Sequence, residues 1–191
     1  RLFTAPFFNQ LDLITLTDPE DKARWISLGV NPALLRLTGN MKHDAAGNAT
    51  STNSGSGNPI LLAASTHAGE ERAIAAAWLE LKKEFPSLRL VITPRHVERR
   101  GEIRAALRDL GISCGLRSEG ASLSENPLLL DTTGELSGWY AQATLVFVGK
   151  SLPCSVNNGG QNMIEPLQAG APALIGPHTG NFEPFATHLC E

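Results

Sequence analysis

The sequence is poor in the features that assign a protein quickly. It has three cysteines, Cys114, Cys154 and Cys190, with no C-x-x-C pair and no zinc-ligand spacing. That excludes a zinc module and reads as reduced thiols in a cytosolic setting. Cys154 lies in a glycine-bearing loop without a neighbouring base to activate it, so packing is its expected role. No stretch approaches the roughly 18 apolar residues of a membrane-spanning helix, and no signal peptide is visible. The formal net charge is −3, so no basic excess points to nucleic acid. No His, Asp and Glu set has metal-ligand spacing, and neither a metal nor a cofactor is expected. The chain opens without Met and stops inside a helical pattern, as a fragment would. What is present is a 42% hydrophobic content over 191 residues, enough for the core of one ordinary domain or a little more.

Residues 144–177 organise the rest. An apolar run from Leu145 to Val148 ends at Gly149, and a polar loop follows that closes on Asn158, Gly159 and Gly160. Met163, Ile164 and Leu167 then keep helical spacing, Gly170 and Pro172 stop the helix, and Ala173 to Ile175 form a second apolar run. Strand, glycine turn, helix and strand follow one another. The helix is expected to begin near Gly160 and to aim its N-terminus, with the amides of Gly159 and Gly160, at a phosphate.

Upstream, residues 1–10 are amphipathic and residues 11–16 read as a buried strand. Thr17 or Asp18 can cap a helix that has Pro19 in its first turn and turns Ala23 and Ile26 inward, and Leu35 to Thr38 form a short strand. This piece, residues 1–43, is expected to be the tail of another domain. Residues 44–58 carry Gly, Ala, Ser, Thr and Asn without a large apolar residue and read as a flexible linker. Residues 59–191 then alternate strands with helices. Strands are expected at 60–64, 88–93 and 128–130; one helix carries Ile74, Trp78, Leu81 and Phe85, the next Ile103, Leu107 and Leu110. Residues 113–126 read as a polar surface loop. The fold class that follows is α/β, a doubly wound parallel sheet.

In such a sheet the strand ends share one edge, where ligands bind. Four of them carry polar groups: Ser65, Thr66 and His67; Pro94, Arg95 and His96; Thr133, Gly134 and Glu135; and Gly159 to Asn162 with Glu165. Arg95 directly follows a strand, and a guanidinium matches a phosphate with two parallel hydrogen bonds. Glu165 can accept from both hydroxyls of a ribose, although alone it would read as a solvated helix charge. His67 and His96 read equally as ligands or acids and as loop or capping residues; His178 reads as structural. Trp25, Trp78 and Tyr140 fit apolar helix stripes and are expected in the core.

Five motifs in order complete a resemblance. S-T-H-A-G-E-E at 65–71, P-R-H-V-E-R at 94–99, D-T-T-G-E-L at 131–136, G-G-Q-N-M-I-E-P at 159–166 and G-P-H-T-G-N-F at 176–182 resemble the 3-deoxy-D-manno-octulosonic acid (Kdo) transferases of lipopolysaccharide synthesis. The segment L-T-G-N-M-K at 37–42 is also similar. The resemblance implies one Rossmann-like half of a GT-B glycosyltransferase, holding the donor CMP-Kdo. A lipid A precursor is the implied acceptor, at the cytoplasmic face of the bacterial inner membrane. Pro94, Arg95, Thr133, Gly134, Glu135, Asn162, Met163, Ile164 and Glu165 match the positions that contact CMP; Ser65, Thr66, Gly159 and Gly160 are possible loop contacts. The family's catalytic base and membrane-anchoring segment would precede Arg1. The chain departs at Ala68, Thr133, Lys150 and Gln161, where the family usually has Glu, Met, Gly and His. Two other readings remain open: a non-catalytic nucleotide-binding fragment, and an epimerase-like GT-B enzyme using a UDP-sugar.

Overall fold

The structure is a computed structural model that describes residues 4–39, 57–124, 127–155 and 158–189. The described residues fall into two compact units, one within Arg1–Ala46 and one within Gly47–Glu191. Most of the expected linker at 44–58 lies outside the described residues.

In the first unit, α1 (Thr4–Phe8) precedes β1 (Ile14–Leu16), α2 (Pro19–Ser27) and β2 (Leu35–Leu37), and the two strands pair in parallel. The Asp18 carboxylate caps α2 by accepting from the Glu20 amide at 2.7 Å, with Pro19 in the first turn. Leu16, Val30 and Leu35 form its small core, with Phe8 edge-on to Trp25 at 4.7 Å. The strand is shorter than expected: Leu11 and Leu13 are exposed, and so is Ile26 on α2. A three-residue strand beside one helix covers too little surface to bury them.

The second unit runs β3 (Ile60–Thr66), α3 (Glu70–Glu84), β4 (Arg89–Pro94), α4 (Arg100–Arg108), β5 (Gly115–Leu116), β6 (Leu128–Leu129), α5 (Leu136–Tyr140), β7 (Leu145–Val148), α6 (Ile164–Gln168), β8 (Ala173–Ile175) and α7 (Glu183–Leu189). Its six strands are all parallel, in the order β5-β6-β4-β3-β7-β8. The central strand β3 reads ILLAAST and is buried almost throughout, the pattern of a strand covered on both faces. Alternate residues enter separate cores. Leu61 and Ala63 pack with Ile74, Trp78, Ile103 and Leu107, and Leu62 and Ala64 with Tyr140, Met163 and Val148. Those two cores are what doubly wound means physically. The chain grows outward from β3 on one side and returns to β7 on the other, so the reversal point lies between β3 and β7.

Three local expectations are corrected. The supposed loop at 113–126 contains the edge strand β5, anchored by buried Leu116 and Ala121. Leu81 and Phe85 are exposed at the end of α3, beyond the reach of the sheet, whereas Ile74 and Trp78 are buried. And α6 begins at Ile164, not near Gly160.

Candidate functional site

The ends of β3, β4 and β6 enclose a cavity of about 220 Å³. Pro94, Arg95, Thr133, Gly134 and Glu135 all line it, together with Ser65. Five residues that the sequence reading did not single out complete the wall: Thr93, Val97, Leu130, Thr132 and Leu136. The apolar three suit a flat ring. Thr93 carries an unusual signal, because its buried hydroxyl has no hydrogen-bond partner among the described residues. The hydroxyl is itself closed off from solvent, so Thr93 lines the cavity through its other atoms. In the sequence it was hidden at the end of an apolar strand run.

Local geometry explains the cavity. The β3–β4 register slips between Ala64 and Thr66, with Ser65 left-handed at φ 53°. The Arg95 amide then donates to the Thr66 carbonyl at 3.0 Å, extending the ladder by one residue. Arg95 is exposed and has no ion pair among the described residues, unlike Arg99 and Arg100 beside it. Arg99 grips buried Glu71 at 2.8 Å; burial opposes its charge, but Glu71 and then Glu102 more than offset this and raise its pKa. Thr66 is fully buried and donates its hydroxyl to Glu71, so its side chain serves that pair rather than a ligand.

The β6 side is fixed by carboxylates. Burial would raise Asp131, but the hydroxyl and amide of Ser118 and the Arg100 guanidinium outweigh it and hold the carboxyl below its usual range. Glu135 accepts from the Thr132 hydroxyl and, at 3.0 Å, from Arg117, and these two in that order lower its pKa.

The loop after β7 is organised by Glu70. This fully buried carboxylate accepts four backbone amides: His67 at 2.8 Å, Lys150 at 2.7 Å, Ser151 at 2.9 Å and Leu152 at 3.1 Å. It joins the start of α3 to the end of β7. Here the expected phosphate cradle is corrected. Gly159 and Gly160 are buried, and both amides donate to the Lys150 carbonyl at 2.9 and 2.8 Å. Their positive φ angles, 147° and 80°, close the loop instead.

The Asn162–Glu165 group sits outside the cavity lining. Asn162 accepts from the Ile164 amide at 3.0 Å and donates to Glu165 at 2.7 Å. Met163 and Ile164 are buried, so only their backbone can face a ligand. Glu165 is exposed in the first turn of the five-residue α6, since that helix begins at Ile164 rather than near Gly160. Burial, and then the charge of Glu165, push the Tyr140 phenol up. Helix α5 packs against α6 and carries Leu136 of the cavity wall, so it connects the two groups. His67 is half-buried, with its ring nitrogen Nε2 2.9 Å from Gln161 Nε2, and burial above all lowers its pKa.

Away from this edge, Gly101, Arg104, Arg108, Ile112, Ser113 and Cys114 line a larger cavity of about 310 Å³. Among the described residues no three His, Cys, Asp or Glu side chains gather as a metal site requires, and no helix is long and apolar enough to cross a membrane.

No established family profile matches the sequence. Curated relatives do. The chain is 34% identical over 194 residues to a 3-deoxy-D-manno-octulosonic acid transferase of Haemophilus influenzae, covering 96% of this chain and 45% of that protein. It is 34% identical over 189 residues to one of Bordetella pertussis (92% and 43%), and 30% over 207 residues to one of Chlamydophila psittaci (99% and 45%). The chain thus spans a little under half the length of these relatives. Among solved structures it matches the C-terminal CMP-Kdo binding domain of WaaA from Acinetobacter baumannii, with 33% identity and a TM-score of 0.65, covering 71% of this chain and 70% of that one. The parallel sheet is that of a GT-B donor-binding domain. Sequence similarity over nearly the whole chain and a shared domain fold agree, and the chain belongs to the 3-deoxy-D-manno-octulosonic acid transferase family.

Proposed function

We propose that this chain is the donor-binding part of a Kdo transferase and that the 220 Å³ cavity receives CMP. The observation that carries this is the exposed Arg95, with no ion pair among the described residues, in the lining of a cavity that also has an apolar wall. The nucleobase packs on Val97, Leu130 and Leu136, and Arg95 takes the phosphate. Stabilising the departing CMP is then this chain's contribution to the reaction, since charge develops on that phosphate in the transition state. The whole protein moves Kdo from CMP-Kdo to a lipid A precursor at the cytoplasmic face of the inner membrane; a transfer assay with the full-length protein checks this, and failure with every lipid A precursor contradicts it.

Calorimetry with CMP, UMP and AMP tests the donor reading. CMP binds most tightly; equal or tighter UMP binding favours the UDP-sugar alternative and removes this one. Arg95→Ala is expected to weaken CMP by about 1.5–3 kcal/mol, the scale of a hydrogen bond to a charged group. Cytidine, without phosphate, loses far less, and an equal loss for both would make Arg95 a loop support.

Glu165 and Asn162 are assigned to the ribose. Glu165 keeps acceptor capacity beyond its bond to Asn162. Wild type is expected to prefer CMP to 2′-deoxy-CMP by about 1 kcal/mol, one net hydrogen bond. Glu165→Ala binds the two alike; an undiminished preference places the ribose elsewhere.

A further inference from the structure

Among the described residues, two that are not glycine have a left-handed backbone: Ser65 at φ 53° and Lys150 at φ 62°. They lie at the ends of β3 and β7, the strands flanking the reversal point. Such a conformation is costly for a residue with a side chain and persists where the surroundings over-determine it, most often at functional sites. Glu70 does the over-determining, by holding the amides of Lys150, Ser151 and Leu152. The strain fixes where Lys150 sits.

Its neighbour is His67, two residues past Ser65. An amide nitrogen only donates, so Gln161 Nε2 makes His67 Nε2 the acceptor at 2.9 Å and leaves the ring proton on Nδ1. Neither that Nδ1 nor the Lys150 ammonium has a hydrogen-bond or ion-pair partner among the described residues. The His67 and Lys150 amides donate to the same Glu70 oxygen, Oε2, at 2.8 and 2.7 Å, which sets the two residues side by side. The other charges around His67 are accounted for. Glu70 is surrounded by four amides and Arg99 is paired with Glu71 and Glu102. His96 stands edge-on at 5.8 Å with its own Nδ1 3.4 Å from Glu98. A cation and a neutral N–H donor, both unused, complement a carboxylate.

The donor read above supplies one. An octulosonic acid linked to CMP carries two anionic groups, the phosphate and a carboxylate on the adjoining anomeric carbon. The cavity holds a single unpaired cation, Arg95, and its wall residue Ser65 is the residue from which the chain turns toward His67. We propose that Lys150 and His67 hold the carboxylate of the donor sugar, as a specificity site adjoining the nucleotide cavity. This rests on the donor reading of that cavity.

The test is calorimetry on the whole chain with CMP, CMP-Kdo and the methyl ester of CMP-Kdo at the sugar carboxyl. Wild type is expected to bind the acid about tenfold tighter than the ester, the scale of one charged hydrogen bond. Lys150→Ala loses that ratio while its CMP affinity changes less than about twofold, and Lys150→Arg restores it. His67→Phe reduces the ratio too, without the restoration. An acid-to-ester ratio that survives Lys150→Ala, or CMP and CMP-Kdo weakened equally, overturns the proposal while leaving the nucleotide site intact. A wild-type chain that binds no CMP overturns both.

Discussion

Glu70→Gln is expected to lower the unfolding midpoint of this chain by roughly 10 °C. Each Glu70 oxygen accepts two amides, Oε2 those of His67 and Lys150 and Oε1 those of Ser151 and Leu152, so all its acceptor capacity is in use. An amide offers one oxygen. Its NH2 group would face two backbone N–H groups that then have no acceptor in a buried site. Stranding a buried donor costs about 1–3 kcal/mol, so two cost about 3 kcal/mol or more. In a domain of this size, 1 kcal/mol moves the midpoint by about 2–4 °C. Exposed Glu80, paired only with Lys83 at the surface, serves as the control, and Glu80→Gln is expected to stay within about 0.5 kcal/mol of wild type. Thermal melts followed by circular dichroism measure both. A Glu70→Gln melt within about 2 °C of wild type would show that the loop after β7 is held by something else.

Gly149→Ala has a comparable effect for a steric reason. A Cβ there would lie 2.3 Å from the Ser65 carbonyl oxygen and 2.7 Å from the Thr66 Cα, both backbone atoms. The Gly149 amide also donates to the Ala64 carbonyl at 2.8 Å, so the two chains cannot separate without breaking the β3–β7 ladder. Forced overpacking costs about 1–3 kcal/mol, and backbone against backbone belongs at or above the upper end. The same shift would move Ser65 in the cavity wall, so CMP affinity should fall together with stability. Gly138 in α5 is the contrasting glycine. A Cβ there meets nothing within 4 Å, and Gly138→Ala is expected to stabilise by about 0.5–1 kcal/mol through helix propensity. Denaturant melts of the two variants should move in opposite directions. Equal behaviour would remove the close crossing of β3 and β7 as the reason for Gly149.

The sheet was legible wherever a strand is buried on both faces, because β3, β4 and β7 read as uninterrupted apolar runs. Strand β5 was not, since two residues at an edge leave no periodicity to detect. The cavity residues Pro94, Arg95, Thr133, Gly134 and Glu135 could be found because they follow strand ends, and parallel topology alone carries strand ends to one edge. The assignment of Gly159 and Gly160 to phosphate failed for a reason that sequence cannot display. Glycine in a loop signals either close approach of a ligand or a positive φ needed to fold the loop on itself, and here the Lys150 carbonyl takes both amides. Thr93 was missed because an orphan hydroxyl is a property of its surroundings. The role of Glu70 depended on loop residues some 80 positions away, Lys150 to Leu152, whose amides meet only after the sheet has formed.

The central claim is that CMP occupies the cavity at the ends of β3, β4 and β6. Mapping backbone amide chemical shifts of the labelled chain during titration with CMP tests it directly. The account predicts that the largest shifts cluster at Arg95, Val97 and Thr132 to Glu135, with smaller ones at Ser65 and Asn162. The competing place is the larger cavity between α4 and the start of β5. Shifts confined to Gly101, Arg104, Arg108 and Ser113 would contradict the account.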